Sequence, residues 1–154
     1  MKYIKLFEKY KYLPKNIENE LYNEYKDIIL NTFLNIKLEY DDIIELIKCN
    51  KNNYLCFLHN YNMFQLYMTI KHKDILKSYS TPEKMNSFHN IFNKVYYMNK
   101  NKINKFFENS IINYFKNNKE EYIEINKNYN INDIFSNNII KKLRFILISK
   151  KFNL

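Results

Sequence analysis

Cysteine and histidine side chains are the residues of this chain best suited to bind a metal or to attack a substrate. Cys49, Cys56 and His59 lie close in sequence, and His72 or His89 could supply a fourth ligand. Cys56 and His59 are three positions apart, which places them on one face of a helix. Their spacing matches no standard zinc motif, and a buried thiol beside an exposed imidazole on an aromatic helix accounts for it equally. We therefore expect no bound metal and no Cys–His nucleophile, and Cys49, Cys56 and His59 stay the candidate ligands if a metal binds.

Two pairs of adjacent acids are the next candidates for acid–base chemistry. Asp41 and Asp42 are neighbours in sequence, as are Glu120 and Glu121. Neighbouring residues on a helix point about 100° apart, so neither pair can share a proton as a catalytic dyad does. Both pairs precede apolar residues at helical spacing, where acids stabilise the positive end of the helix dipole. We interpret them as helix-start charges.

Glycine is absent from the 154 residues, and proline occurs only twice. Glycine-rich phosphate loops need a backbone that accepts positive φ and lets a ligand approach closely. A Rossmann fingerprint, a P-loop and an oxyanion turn built on glycine are therefore excluded. Because no Ser, His and Asp stand in a convincing triad order either, the sequence predicts a protein that is not an enzyme and needs no cofactor.

The net charge of +9 is the feature most typical of a nucleic-acid-binding protein. Arg144 is the only arginine, however, and every other cation is lysine. Arginine is the side chain that binds phosphate and guanine in a bidentate way. Heavy use of Asn, Lys, Ile and Tyr indicates AT-rich coding, which inflates lysine. Nucleic-acid binding therefore stays open but is not favoured.

Length and hydrophobic content indicate one domain over residues 1–154, since 46% hydrophobic residues can fill a single core. Two cysteines do not make a disulfide framework. No long apolar run follows Met1, so we expect no signal peptide. No run of about 20 apolar residues predicts a transmembrane helix. A cytoplasmic or nuclear location is expected.

Helical spacing of apolar residues dominates the chain, so helices must position the side chains above. The clearest helix start is Thr81 followed by Pro82 and Glu83, which predicts a helix to about Met98. The other expected elements are helices over 17–34, 41–47, 52–70, 102–116, 119–125 and from Asn130 through Ile146, and two short segments that could be strands, 3–7 and 36–38.

The run Ile139–Ile148 is basic and amphipathic, so it could lie on an anionic membrane. Docking of the apolar face on the protein's own core is the commoner use of such a helix. One short helix with few cations binds lipid weakly. We therefore expect the docked helix.

Four stretches, taken in order, carry a resemblance to a known family. Tyr3-Ile4-Lys5-Leu6 is similar to its opening strand, residues 27–38 to a helix and the strand after it, and Ile43–Cys49 to its next helix. Residues 88–136 are similar to its C-terminal helices. The family is the adaptors of cullin ubiquitin ligases, the S-phase-kinase-associated adaptor and its sibling elongin C, which have the BTB/POZ fold. Its Asp-Gly turn, acidic middle loop and Trp-containing tail have no counterpart in this chain.

The resemblance implies an α+β, helix-dominated fold, with a BTB/POZ-like core over residues 1–100 and a C-terminal helical extension over residues 101–154. It implies an adaptor that links a cullin-like scaffold to an F-box-like substrate receptor. The extension would form a groove for the receptor's helices. The partner-binding residues that follow are Tyr97, Ile103, Phe107, Ile111, Ile123 and Ile131.

Other interpretations fit the same residues. The apolar positions of the proposed groove would equally fill the core of an unrelated helical domain. An all-α bundle that binds partner or host proteins, such as a Bcl-2-like protein from an AT-rich virus or parasite, has the right length, although the usual Asn-Trp-Gly-Arg signature is absent. A basic nucleic-acid- or ribosome-associated protein is the second alternative.

Overall fold

Helices build the part of the chain that the computed structural model describes, residues 12–49, 53–59 and 82–152. Of these residues 82% are helical, and none forms a strand. The predicted helix-dominated fold is confirmed, and the all-helical alternative fits it. The α+β, BTB/POZ-like core is not supported. Of its two expected strands, 3–7 lies outside the described residues, and 36–38 is a connection between two helices without regular secondary structure.

The helix bounds agree with the helical spacing of the sequence in most places. In chain order the helices are α1 (Lys15–Phe33), α2 (Tyr40–Ile47), α3 (Pro82–Met98), α4 (Lys100–Asn117), α5 (Lys119–Asn128), α6 (Ile131–Ile134) and α7 (Asn137–Lys151). Residues 55–59 are also helical, and the rest of the predicted 52–70 helix lies largely outside the described residues. The described helices include none that is long and apolar enough to cross a membrane.

The expected strand at 36–38 is wrong for a simple reason. Ile36 and Leu38 are buried while Lys37 between them is exposed, which is the alternation of a half-buried strand. The segment joins α1 to α2, and within the described residues its backbone pairs with no strand. Burying every second side chain of a short connection produces the same sequence pattern as a strand.

The last predicted helix is two helices, α6 and α7. The Asn130 side chain accepts a hydrogen bond from the backbone N–H of Asn132 at 3.2 Å and starts α6. Phe135 then has extended backbone. The Ser136 hydroxyl accepts from the N–H of Ile139 at 3.4 Å and starts α7. A second N-cap six residues after the first therefore interrupts the helix.

The chain divides into two compact units, Met1–Asn35 with Leu58–Lys100 and Ile36–Phe57 with Asn101–Leu154. In the first unit α1 packs against α3. The rings of Phe33 and Phe92 meet edge to face with centroids 4.8 Å apart. The backbone N–H of Leu13 donates to the buried hydroxyl of Ser87 at 2.8 Å, which ties the approach to α1 onto α3.

Aromatic rings also fill the second unit. Phe107 of α4 stacks on Tyr54 at 4.8 Å and meets Phe57 edge to face at 5.7 Å. Further along α4, Phe115 contacts Tyr122 of α5 at 5.0 Å. The last helix, α7, packs against α5 and α6. Each offset or edge-to-face ring pair adds about 0.5–1.5 kcal/mol beyond the burial of its area. Because α4 supplies a ring to each of these pairs, it is the centre of this unit.

Candidate functional site

Five of the six predicted partner-binding residues are buried in the second unit. They are Ile103, Phe107, Ile111, Ile123 and Ile131. The residues that surround them belong to the chain itself, as the stacking of Phe107 on Tyr54 shows. A partner helix could reach these side chains only by displacing the chain's own residues. Their binding role stays a prediction, and their observed role is to fill the core of this unit.

Tyr97 is the exception, because it lies on the surface beside a second large side chain. It is 56% exposed, and the following residue, Met98, is 68% exposed. The Tyr97 ring meets the fully buried Tyr96 ring edge to face at 5.3 Å, so the core holds one side of it. These two residues end α3, before the turn at Asn99. They form an apolar surface, which we call the α3 tip.

Two exposed lysines lie near the α3 tip in sequence. Lys94, one helical turn before Met98, is exposed, and so is Lys100. The Lys94 ammonium lies 4.1 Å from the centroid of the Tyr22 ring on α1, a cation–π contact that fixes its position. Residues 84–107 contain no Asp or Glu. The α3 tip is therefore an apolar patch with a wholly basic border on its own chain segment.

Met98 was not among the binding residues predicted from the sequence. Helical spacing places Ile91, Val95 and Met98 at positions i, i+4 and i+7 of one face, yet Met98 at the helix end is exposed while Ile91 and Val95 are buried. Pairing Met98 with Tyr97 was the missing step. Two large apolar side chains in succession at the last turn of α3 were the available signal.

Two histidines pair in the first unit. The rings of His59 and His89 stack with centroids 5.6 Å apart, and His59 Nε2 is 2.7 Å from Asn93 Oδ1. Burial, and then the neighbouring His59, lower the pKa of His89. The predicted fourth metal ligand His72 lies outside the described residues. The lowered pKa of His89 favours its neutral imidazole, whose ring packs against that of His59.

The two cysteines come together in the second unit. The Cys49 thiol is hydrogen-bonded to Cys56, and burial, followed by this contact, raises the pKa of Cys49 to about 12. A reactive cysteine needs a lowered pKa, so Cys49 is a poor nucleophile. No group of three or more His, Cys, Asp or Glu side chains suited to a metal occurs within residues 12–49, 53–59 and 82–152.

A small cavity adjoins Cys49. It has about 10 Å³ for the centre of a water molecule, which is room for about one water. Its lining residues are Leu46, Cys49, Asn53, Tyr54, Ile111, Ile134 and Phe135. An organic substrate does not fit a space of this size.

Asp41 and Asp42 lie in the first turn of α2, as the sequence predicts. The Asp42 carboxylate accepts a hydrogen bond from the backbone N–H of Glu39 at 2.8 Å and so closes the start of α2. Burial raises the pKa of Asp42. Near the start of α5, Glu121 accepts a hydrogen bond from the Tyr114 hydroxyl. These carboxylates are engaged in structural contacts.

Comparison with known proteins adds no relative to this description. No protein-family model matches the chain, and no curated protein or solved structure is significantly similar to it.

Proposed function

We propose that this chain is a non-enzymatic helical module that binds another protein through the α3 tip. The observation that carries the proposal is the exposure of Tyr97 and Met98 side by side. Tyrosine buries a large area at little entropic cost, and methionine adapts its shape to a partner. Both are enriched at protein interfaces for these reasons. The α3 tip therefore has the composition of a binding surface.

The charge around the α3 tip defines the partner's chemistry. Lys94 and Lys100 are exposed at its border, and no acid lies nearby in sequence to neutralise them. A partner that brings an apolar side chain between carboxylates would bury the Tyr97–Met98 pair and satisfy both lysines. The proposed partner is a protein with an acidic, apolar-centred face, such as an amphipathic helix.

Two narrower forms of the proposal differ in the partner. The link between a cullin-like scaffold and an F-box-like receptor rests on the resemblance of the four sequence stretches. The all-helical module that binds partner or host proteins is favoured by the helical content of the described residues. Both forms place the contact at the α3 tip and differ in the partner, so one experiment that identifies the partner separates them.

The test is affinity purification of the full chain from its native source, comparing wild type with a Tyr97→Ser/Met98→Ser variant. A partner anchored by hot-spot residues should be recovered at least about tenfold less with the double variant. The matched control is Tyr12→Ser, because Tyr12 is 55% exposed in the same unit and should leave recovery unchanged. Thermal unfolding of each variant verifies that the fold persists.

The identity of the recovered protein decides between the forms. A cullin or an F-box protein supports the adaptor, and a different acidic protein supports the helical partner-binding module. Ribosomes or nucleic acid would replace both with the basic-protein alternative. Equal recovery with the wild type and the double variant would contradict the α3 tip as the binding surface.

A further inference from the structure

The outer face of α7 exposes large apolar side chains. Phe145, Ile148 and Phe152, the last at the C-cap, are 40%, 45% and 61% exposed. Residues three, four and seven positions apart lie on one side of a helix. The opposite side of α7 is buried through Ile139, Leu143 and Ile146. The helix therefore docks through its inner face and leaves these three large apolar side chains partly exposed on the other side.

Exposed positive charge is concentrated on the same helix. The helix has five cations and no acid, against a net charge of +9 for the whole chain. All five are exposed: Lys141, Lys142, Arg144, Lys150 and Lys151. Two lysines lie beside the exposed rings, Lys119 Nζ at 5.7 Å from the centroid of Phe145 and Lys151 Nζ at 5.7 Å from that of Phe152.

We propose that the outer face of α7 binds the surface of an anionic lipid bilayer. Phe145, Ile148 and Phe152 enter the headgroup region, and the surrounding lysines pair with lipid anions. The proposal is independent of the α3 tip, which lies in the other unit. Interfacial helices bind by this combination of apolar insertion and electrostatic attraction.

The arrangement of charge on α7 favours lipid over an acidic protein. On a helix at about 100° per residue, Lys141 falls between Ile148 and Phe152, so cations stand among the apolar residues instead of bordering them. A protein partner would need fixed carboxylates at matching places. Lipid headgroups rearrange around any pattern of cations, and lysine on its flexible stem acts as a point charge suited to a diffuse surface.

The same face is poorly suited to nucleic acid. Single-stranded nucleic acids bind aromatic rings by stacking their bases. Ile148 lies between the two phenylalanines and offers no ring for a base. The single arginine, Arg144, also leaves little bidentate phosphate binding.

Sedimentation with lipid vesicles tests the proposal on the full chain. Wild type should bind equimolar phosphatidylcholine and phosphatidylserine vesicles at least about tenfold more tightly than phosphatidylcholine alone, since each cation contributes about fivefold. Lys141→Gln/Lys142→Gln should weaken this binding about 25-fold by the same reasoning. Phe145→Ser/Ile148→Ser/Phe152→Ser should weaken it at least about tenfold through lost apolar burial.

The matched control for the apolar arm is Tyr129→Ser, since Tyr129 is 42% exposed in the same unit but lies outside α7. It should leave vesicle binding unchanged. Equal binding to both vesicle types, equal loss in the control, or a serine variant that binds as wild type would each overturn the proposal. Preferential binding to polyuridylate RNA that the serine variant abolishes, with vesicle binding unchanged, would overturn it in favour of nucleic acid.

A second variant keeps the test independent of the stability of the triple variant. The chain contains no tryptophan, so Phe152→Trp introduces a single tryptophan on the outer face, whose emission can be excited selectively. Its emission should shift to shorter wavelength with phosphatidylserine vesicles and be quenched by brominated acyl chains. An unchanged spectrum with saturating vesicles would overturn the proposal.

Discussion

Replacing Tyr122 with phenylalanine should stabilise the fold. The Tyr122 side chain is fully buried, and its hydroxyl finds no hydrogen-bond partner within the described residues. Burial alone raises its pKa. A buried hydroxyl without a partner costs about 1–3 kcal/mol relative to water, whereas a phenylalanine ring keeps the contact with Phe115. Tyr122→Phe is therefore expected to raise the free energy of unfolding by about 1–3 kcal/mol.

Urea unfolding followed by circular dichroism measures this change. For a chain of 154 residues, each kcal/mol corresponds to about 2–4 °C in Tm, which gives a second readout. Tyr114→Phe is the matched control, because the Tyr114 hydroxyl donates to the Glu121 carboxylate. It should lower the free energy of unfolding by about 1 kcal/mol, a bond to a charged group discounted for its partial exposure. A loss of about 1 kcal/mol or more in Tyr122→Phe would refute the reasoning, because the hydroxyl would then have a partner.

Three further predictions concern the polar side chains. In urea titrations, Asp42→Ala should lower the free energy of unfolding by about 1 kcal/mol, because the Asp42 carboxylate accepts a hydrogen bond from the backbone at the start of α2. Asp41→Ala should lower it by less, and equal losses would contradict this. His89 has a lowered pKa, so the unfolded chain takes up its proton first, and stability should fall as the pH drops below 6.5. His89→Gln should flatten that part of the pH profile, and an unchanged slope would show that other groups cause it. Iodoacetamide at pH 8 should label Cys56 before Cys49 in peptide mass spectra, because Cys56 is exposed and the Cys49 pKa is raised to about 12; the reverse order would mean that Cys49 is not protected.

Local signals in the sequence were sufficient where a helix begins at a strong cap. Pro82 at the first position fixed the start of α3, and the spacing of its apolar residues carried it to Met98. Local signals failed where two different structures produce the same sequence pattern. The alternation at 36–38 is shared by strands and by buried connections, and only the absence of a neighbouring strand in the described residues distinguishes them. The cap at Ser136 was missed because Asn130 already explained the start of a helix.

The candidate surfaces depend on which helices pack together, and helical spacing does not carry that information. The resemblance implied partner binding for Phe107 and Tyr97 alike, yet Phe107 stacks inside the second unit while Tyr97 is exposed. A periodic pattern says that one face of a helix avoids water, and it does not say whether the chain itself or a partner covers that face.

The run Ile139–Ile148 shows the consequence most clearly. From sequence, docking on the protein's own core and binding to a lipid surface are competing uses of one apolar face. In the structure α7 has two apolar sides, the buried side of Leu143 and the exposed side of Phe145 and Ile148. Both uses are therefore compatible, because the docked side fixes the helix on the second unit and thereby presents the other side with its cations. A pre-ordered helix loses less conformational entropy on binding than a free peptide of the same sequence. Docking to the core would thus strengthen the lipid binding with which it had been expected to compete.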